Sequence, residues 1–279
     1  MITANRVGYG AMQLERASID GVAFLRHVVA KGINHIDTAQ FYGPANALIR
    51  EALHPYDDDL VLATKVGAER DQDGGLVTAQ RPEQLRTSVE ANLAALGADQ
   101  VAVVNLRRTD APPGIIAEGD QRVDIDSQLA ELIAMRDEGK IGGIGLSSVS
   151  AEQLTAALPA GITCVQNAHS VLDRASEPVL DVCRANDISW VPYFPLGSAF
   201  PAFPKVVEHP TVIEIAKNLD VAPATVGLAW LLTHYEHTLL IPGTTSHAHL
   251  DDNLAAGDLH LDADTMARLD SLATATAGR

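Results

Sequence analysis

Short runs of apolar, largely β-branched residues alternate along the chain with longer segments in which apolar residues recur every three or four positions. The short runs predict eight β-strands, at residues 7–12, 33–37, 60–66, 101–107, 141–147, 163–169, 190–196 and 238–244. The longer segments predict helices at residues 21–31, 45–53, 82–96, 125–138, 151–158 and 177–186, a pair at 210–219 and 224–234, and two more at 247–256 and 264–272. Helical sequence therefore follows each predicted strand.

The composition of the strands indicates which kind of sheet they form. LVLATKV and VAVVNL are almost entirely hydrophobic, as in parallel sheets that are covered on both faces. Eight such strand–helix units predict an α/β fold, the (β/α)8 or TIM barrel, formed as a single domain by residues 1–279. Pro82 at a first helical position, and Gly97 and Gly139 at predicted left-handed caps, agree with these helix boundaries. An open, doubly wound sheet remains the alternative, although neither GYG nor GIG completes the dinucleotide motif G-x-G-x-x-G.

Charge and composition narrow the classes of partner. The chain carries 36 acidic and 20 basic residues, a net charge of −16, which repels nucleic acid and anionic membranes. No apolar run approaches the roughly 18 residues of a membrane span, and no secretory leader is recognisable at the N-terminus, so we expect a cytoplasmic protein. Cys164 and Cys183 lack CxxC spacing and are expected to be buried free thiols.

Polar residues at the ends of the predicted strands are the candidates for chemistry, because barrels of this kind place their active sites at the carboxyl ends of the strands. Asp37 ends the second strand, Tyr42 lies in the loop after it, Lys65 is near the end of the third strand, and Arg107 ends the fourth. We therefore expect these four side chains to converge. His35, two residues before Asp37, is expected to be a hydrogen-bonded core residue rather than a base.

A lysine within a hydrophobic strand needs a counter-ion, which Asp37 can supply to Lys65. An ammonium group near Tyr42 would favour the phenolate form and help the phenol to protonate a carbonyl oxygen. The alternative interpretation is that Asp37 and Lys65 form a structural ion pair and that Tyr42 is only a loop aromatic. The three residues by themselves do not separate these interpretations.

A longer stretch around these residues, IDTAQFYGPANALIREAL, resembles the signature of the aldo-keto reductase family. The resemblance continues through GYGAM, LATKVG, GLSS, VQN, YFPLG and IPGTTSHAHLDDNLAA, and VVNLR is similar to the fourth strand of bacterial pyridoxal reductases. It implies that Asp37, Tyr42 and Lys65 are three members of a catalytic tetrad, and that Arg107 stands where the family has a histidine. Because arginine stays protonated, we hypothesise that Arg107 assists Tyr42 or binds an ionised group of the substrate. The alternative is that Arg107 pairs with a loop acid such as Asp110.

The resemblance also assigns a cofactor groove. It implies that the nicotinamide carboxamide and ring are bound by Ser147, Ser148, Gln166 and Tyr193, and that the pyrophosphate lies near Leu196 and Gly197. It places the adenosine and its 2′-phosphate at Thr244, Thr245, Ser246, His249, Asp252 and Asn253. These assignments favour NADPH over NADH. We expect no metal, since His247, His249 and Asp251 are spaced two apart on a helix and so point in different directions.

These observations predict an NADPH-dependent oxidoreductase that reduces an aldehyde or ketone to an alcohol. Its partner would be a small carbonyl compound, with pyridoxal or another aromatic aldehyde as the expected substrate. The alternative from another class is a regulatory subunit that senses nicotinamide nucleotides with little or no turnover. The sequence does not predict the oligomeric state.

Overall fold

The structure is a computed structural model that describes residues 2–16, 19–111, 114–198 and 203–272. Its strands are β1 Tyr9–Gly10, β2 His35–Asp37, β3 Val61–Val66, β4 Ala68–Arg70, β5 Leu76–Thr78, β6 Val101–Arg107, β7 Ile141–Ser147, β8 Ile162–Gln166 and β9 Ser189–Trp190. Its α-helices are α1 Gly21–Ala30, α2 Ala45–Leu53, α3 Pro82–Leu96, α4 Ile125–Asp137, α5 Ala151–Ala157, α6 Glu177–Ala185, α7 Pro210–Leu219, α8 Pro223–His234, α9 His247–Ala255 and α10 Ala263–Asp270. Within these residues the strands and helices alternate as predicted, with one added hairpin.

Seven strands form one parallel sheet in the order β1-β2-β3-β6-β7-β8-β9. Residues 237–240 bond to both edges of this sheet. The Leu239 amide donates to the Trp190 carbonyl on β9 at 2.8 Å, and the Gly8 amide beside β1 donates to the Leu240 carbonyl at 2.8 Å. The sheet is thus parallel and helix-covered, and its two edge strands are linked through one segment.

The prediction of regular strands at 190–196 and 238–244 is wrong in extent. The first of these forms a strand only at Ser189–Trp190, and the second makes only isolated bridges, Trp190 to Thr238 and Val7 to Leu240. Proline explains the interruptions, because a proline has no backbone N–H for a ladder hydrogen bond. Prolines occupy positions 192, 195 and 242. The first predicted strand is also short, since a 3₁₀ helix begins at Ala11.

The antiparallel hairpin of β4 and β5 is an element that the hydrophobic pattern did not predict. It follows β3 directly and turns at Gly74, where φ is +81°. The Asp71 carboxylate stabilises the turn by accepting hydrogen bonds from the amides of Asp73 and Gly75. The hairpin forms a short, largely polar extension at the end of the sheet where β3 and β6 finish.

Hydrophobic side chains fill the molecule on both sides of the sheet. The larger cluster packs the outer face of the strands against helices α1–α6. A smaller cluster lies on the inner side and consists of Ala63, Val103, Cys164, Val191, Leu239 and Ile241. Because side chains alternate between the two faces of a strand, residues two positions further along also point inward.

The cysteine and helix-cap predictions are confirmed. Cys164 and Cys183 are buried free thiols, and burial raises the pKa of Cys164 to about 12. Helix α3 begins at Pro82 and ends at Leu96, and the residue after it, Gly97, is its left-handed cap with a φ of +66°. Among the helices of the described residues, none combines the length and the apolar character that a bilayer crossing requires.

Candidate active site

The predicted catalytic residues lie together at the carboxyl end of the sheet. Asp37 ends β2, Lys65 is the penultimate residue of β3, and Arg107 ends β6. Lys65 follows Ala63 of the inner cluster by two positions, so its side chain points to the inner side of the sheet. The parallel pairing places Asp37 beside Ala63 and Lys65 beside Asn105, one strand spacing apart.

Asp37 and Lys65 form a buried ion pair. Both side chains are almost inaccessible to solvent, and the Lys65 ammonium donates a hydrogen bond to Asp37 Oδ1. It also contacts the Thr38 carbonyl oxygen at 3.3 Å. Burial alone would lower the pKa of Lys65, but the Asp37 carboxylate and Tyr42 raise it above the ordinary lysine value. Lys65 is therefore an ammonium ion at neutral pH.

Tyr42 lies in the loop between β2 and α2, next to this ammonium. The Lys65 nitrogen is 5.0 Å from the centroid of the Tyr42 ring. The loop is fixed at both ends, because the Tyr42 amide donates to the Ala39 carbonyl and its own carbonyl accepts from the Ala45 amide at the start of α2. Phe41 packs edge-on against the ring, with centroids 5.2 Å apart. The structure thus brings Asp37, Lys65 and Tyr42 together as predicted.

Arg107 and its neighbour Arg108 have different surroundings. The Arg107 guanidinium lies 5.9 Å from the centroid of Phe41 and is half-buried, and among the described residues it forms no ion pair. The loop acid Asp110 binds Arg108 instead, through two hydrogen bonds of 2.8 Å. The expected alternative, a pair between Arg107 and Asp110, is therefore not what the structure shows.

Gln166 connects the ion pair to the predicted nicotinamide site. Its side-chain nitrogen donates to Asp37 Oδ2 at 2.7 Å, whereas its oxygen is buried without a hydrogen-bond partner among the described residues. An unpaired buried acceptor is unfavourable, so this oxygen can accept a hydrogen bond from a donor that arrives with a ligand. The carboxamide NH₂ group of a nicotinamide is such a donor. The residues present therefore fit the cofactor that the sequence predicts.

Other residues assigned to the nicotinamide lie close to Gln166. Ser147 pairs with Gln166 between β7 and β8 and is buried. The next residue, Ser148, has a φ of +59°, and its hydroxyl lies 3.2 Å from the Tyr193 hydroxyl. Tyr193 forms an isolated bridge with Ala168 just beyond β8. The structure brings these four predicted residues to the same end of the sheet.

The predicted pyrophosphate and adenosine residues lie in two further segments. Gly197 has a φ of +85°, and a Cβ atom there would lie 2.2 Å from the Pro204 carbonyl oxygen, so packing within the chain already requires glycine. Leu196, before it, is half-buried. The assigned adenosine and phosphate residues are at or near helix α9: Thr244, Thr245, Ser246, His249, Asp252 and Asn253. Ser246 is the N-cap of α9, and its hydroxyl oxygen accepts from the His249 amide.

Comparison with known proteins agrees with the fold and the resemblance described above. The sequence profile of the Aldo/keto reductase family matches residues 6–274. The chain belongs to the aldo/keto reductase family. The chain is 41% identical over 281 residues to pyridoxine 4-dehydrogenase of Escherichia coli (strain K12), and the match covers 97% of the chain and 95% of that protein. The resemblance found in the sequence is confirmed.

Solved structures show the same fold. A thermostable aldo-keto reductase in complex with the inhibitor epalrestat is 26% identical to the chain, with a TM-score of 0.80, and the match covers 97% of the chain and 98% of the other protein. An aldo-keto reductase from Klebsiella pneumoniae in complex with NADPH is 23% identical, with a TM-score of 0.79, and the match covers 96% and 90%. The second likeness concerns the fold alone.

The sequence analysis did not predict a buried amide that holds the ends of two strands. Gln80 follows the β4–β5 hairpin, and its side-chain nitrogen donates to the carbonyls of Gly67 at 2.6 Å and Arg107 at 2.8 Å. Gln128 of α4 donates in turn to Gln80. Arg108 donates to Gln128, which joins the network to Asp110. The ends of β3 and β6, which carry Lys65 and Arg107, are therefore fixed by side chains rather than by the ladder alone.

A second missed network lies behind the ion pair, on the outer side of the sheet. Thr38 donates to Asn46 of α2 at 2.8 Å, and Thr64 donates to Asn92 of α3 at 2.6 Å. Asn46 also donates to Asn92 at 2.9 Å, and all four side chains are buried. The two threonines are sequence neighbours of the ion-paired residues. This network links the positions of those residues to the helix layer.

His35 differs from the prediction, because neither of its buried ring nitrogens has a hydrogen-bond partner among the described residues. Burial lowers the pKa of His35 to about 4, with Lys65 adding to that effect and Asp37 opposing it. The unfolded chain, with an ordinary pKa near 6.5, therefore takes up a proton before the folded state does. The resulting stabilisation is fully present above about pH 6.5 and is lost as pH falls toward 4.

We expect His35→Leu to flatten the acid side of the stability profile. Between pH 7 and pH 4.5 the wild type should lose about 2 kcal/mol of unfolding free energy through His35, a loss that the leucine variant lacks. Denaturant unfolding at both pH values measures this difference, and a uniform offset from altered packing does not affect it. His260→Asn, which changes an exposed histidine, should keep the wild-type slope. Parallel profiles for wild type and His35→Leu would contradict this assignment.

A cluster of His169, Glu177 and His234 has the composition of a metal site. The Trp190 indole N–H, which can only donate, points to His169 Nδ1 at 3.2 Å. His169 therefore carries its proton on Nε2 and donates it to Glu177 at 3.1 Å, which leaves no lone pair for a metal. Burial alone would raise the pKa of Glu177, but the hydrogen bonds from both histidines hold this pKa well below its usual range. The cluster is a hydrogen-bonded link between α6 and α8.

Proposed function

We propose that this aldo-keto reductase reduces aldehydes or ketones to alcohols with NADPH, and that Tyr42 is the general acid. The observation that carries the proposal is the buried Lys65 ammonium, which Asp37 holds 5.0 Å from the Tyr42 ring. An ammonium in that place stabilises the phenolate that remains after Tyr42 has released a proton. The proton passes from the Tyr42 hydroxyl to the carbonyl oxygen, which becomes the alcohol.

The cofactor would be held by the residues that the family resemblance assigns. When bound, reduced nicotinamide would supply the hydride that reduces the carbonyl carbon. Gln166 would accept a hydrogen bond from the carboxamide, with Ser147 and Ser148 beside it, and Tyr193 would cover the ring. The unpartnered oxygen of Gln166 supports this placement.

NADPH is proposed rather than NADH because of the hydroxyl groups at the start of α9. The oxygens of Thr244 and Ser246 accept backbone hydrogen bonds, so their O–H groups are available to donate to a phosphate. Thr245 and His249 add further polar groups beside the positive end of the helix dipole. Asp252 and Asn253 follow on the same helix and are assigned to the adenosine.

The barrel and the substrate belong to the same proposal. We infer that residues 237–240 act as the eighth strand and close the sheet, since they bond to both β1 and β9.

Pyridoxal or another aromatic aldehyde is the proposed substrate. The 41% identity to pyridoxine 4-dehydrogenase supports this choice, as do the exposed apolar residues Met12 and Ile116 in the loops after β1 and β6.

A panel of aldehydes and ketones, assayed with NADPH and with NADH, tests the proposal. We expect loss of nicotinamide absorbance with aromatic aldehydes and a higher kcat/KM with NADPH. The alternative, a nucleotide-sensing regulatory subunit, predicts that NADPH binds, as measured by fluorescence titration, without oxidation by any member of the panel. That second outcome would remove the enzyme assignment while leaving the cofactor site in place.

A further inference from the structure

Arg107 is a half-buried cation without a counter-ion among the residues that the structure describes. Its guanidinium lies 5.9 Å from the Phe41 ring centroid, and a Cβ atom at Gly114 would come within 3.1 Å of its Nη2 atom. The Arg107 side chain is therefore enclosed by the ring of Phe41, in the loop after β2, and by the backbone of the loop after β6. Among the described residues no acid pairs with it, although the chain has 36 acidic residues.

The nearest acid in sequence is held elsewhere. Asp110 accepts two hydrogen bonds from Arg108 and a third from the side-chain nitrogen of Gln153 at 2.7 Å. Burial opposes ionisation, yet these hydrogen bonds lower the pKa of Asp110 below its usual value, so it is a carboxylate at neutral pH. Its accepting positions are already directed at Arg108 and Gln153. Arg107 is thus left with its charge available to a ligand.

The place of this charge relative to the acid–base residues determines what it can bind. Asn105 pairs with Lys65 across β3 and β6, and Arg107 lies two residues further along the same face, about 7 Å toward the mouth. Asp37 and Lys65 neutralise one another, so among the described strand-end residues of the site Arg107 contributes the uncompensated charge. The Phe41 ring contacts the Arg107 guanidinium and also packs against the Tyr42 ring, so a group bound by Arg107 lies on the same side of the mouth as the residue proposed to protonate the carbonyl.

We propose that Arg107 binds an anionic oxygen that the substrate carries next to its carbonyl group. The inference rests on the proposed carbonyl reduction and specifies its substrate class: aldehydes with an ionised carboxylate or phenolate oxygen ortho to the formyl group. A guanidinium can donate two hydrogen bonds to such a group and, unlike the imidazole of histidine, it is not deprotonated in proteins. Arg107 is then a substrate-binding residue that selects by charge and position.

Three probes separate charge from position: 2-formylbenzoate, 4-formylbenzoate and benzaldehyde, all assayed at neutral pH where the carboxylates are ionised. We expect the highest kcat/KM for 2-formylbenzoate. In Arg107→Gln the kcat/KM for 2-formylbenzoate divided by that for benzaldehyde should fall by about ten- to a hundredfold. This is the change expected when one hydrogen bond between charged groups is lost. Arg107→Lys keeps the charge but not the planar fork, and should lose less of this ratio.

Arg26→Gln is the matched control, because it removes the same charge from the outer side of α1, where Arg26 bonds to the Ala52 carbonyl. It should leave the ratio at the wild-type value. Equal losses for both substrates in Arg107→Gln would overturn the inference, as would wild-type protein that prefers benzaldehyde or 4-formylbenzoate. Turnover of benzaldehyde in that case would keep the proposed function intact. No NADPH oxidation with any probe would instead reject the proposed function itself.

Discussion

Replacing Tyr42 with phenylalanine is expected to lower kcat for aldehyde reduction by about 10²- to 10⁴-fold, the range over which a positioned general acid acts. The ring would still pack against Phe41 and above the Lys65 ammonium, so the fold and the cofactor groove should persist. Single-turnover oxidation of bound NADPH measures the loss, and fluorescence titration should give a NADPH Kd within about twofold of the wild type.

Tyr56→Phe is the matched control for this experiment. It removes a phenol hydroxyl that donates to the Leu96 carbonyl at 2.6 Å, between α2 and α3 and away from the strand ends. We expect this variant to lose about 1 kcal/mol of stability and to keep its turnover. A Tyr42→Phe protein with wild-type kcat would show that another group delivers the proton.

Lys65→Met is expected to affect stability and catalysis together. Among the described residues it leaves the buried Asp37 carboxylate with only the hydrogen bond from the Gln166 side chain, and breaking a buried pair in this way costs about 3–5 kcal/mol. We expect the free energy of unfolding to fall by that amount in urea titrations. Turnover should fall as well, because no cation then supports the Tyr42 phenolate.

The double variant Asp37→Asn with Lys65→Met separates the two effects. Without an uncompensated charge, it should recover most of the unfolding free energy lost in Lys65→Met, since apolar replacement of a buried pair is often close to neutral. It should nevertheless remain inactive. If turnover returned with stability, the pair would be a structural ion pair and the interpretation of Lys65 as a partner of Tyr42 would fail.

The order of strands and helices could be predicted from the sequence because burial on both faces of a parallel sheet leaves a plain hydrophobic signal. The same rule located the strand ends, and with them Asp37 and Lys65. The β4–β5 hairpin lacks that signal, since its strand residues apart from the buried Ala68 are half-buried or exposed. Asp71 and the Gly74-Gly75 pair are residue types typical of a turn, but the prediction of strands and helices did not include this turn.

The partners of individual side chains were less predictable. Arg107 and Arg108 are adjacent, and strand alternation sends them to opposite sides, so that Asp110 meets Arg108. Gln80 reaches the carbonyls of Gly67 and Arg107 only because the hairpin folds back, and no local pattern in the sequence encodes that approach. His35 was expected to have a hydrogen bond that its position near Gly8 does not provide.

The two ends of the Gln166 amide have different surroundings, and this limits which substitutions could be used to change cofactor preference. One half of its amide donates to the Asp37 carboxylate, and the other half is a buried oxygen without a hydrogen-bond partner among the described residues. A substitution chosen to retune nucleotide affinity at this position would therefore disturb the acid–base chemistry as well. An engineer seeking an NADH-preferring enzyme would do better to leave this end untouched and to vary His249, which is exposed on helix α9 and lies apart from the charge pair. Selectivity and rate could then be optimised separately.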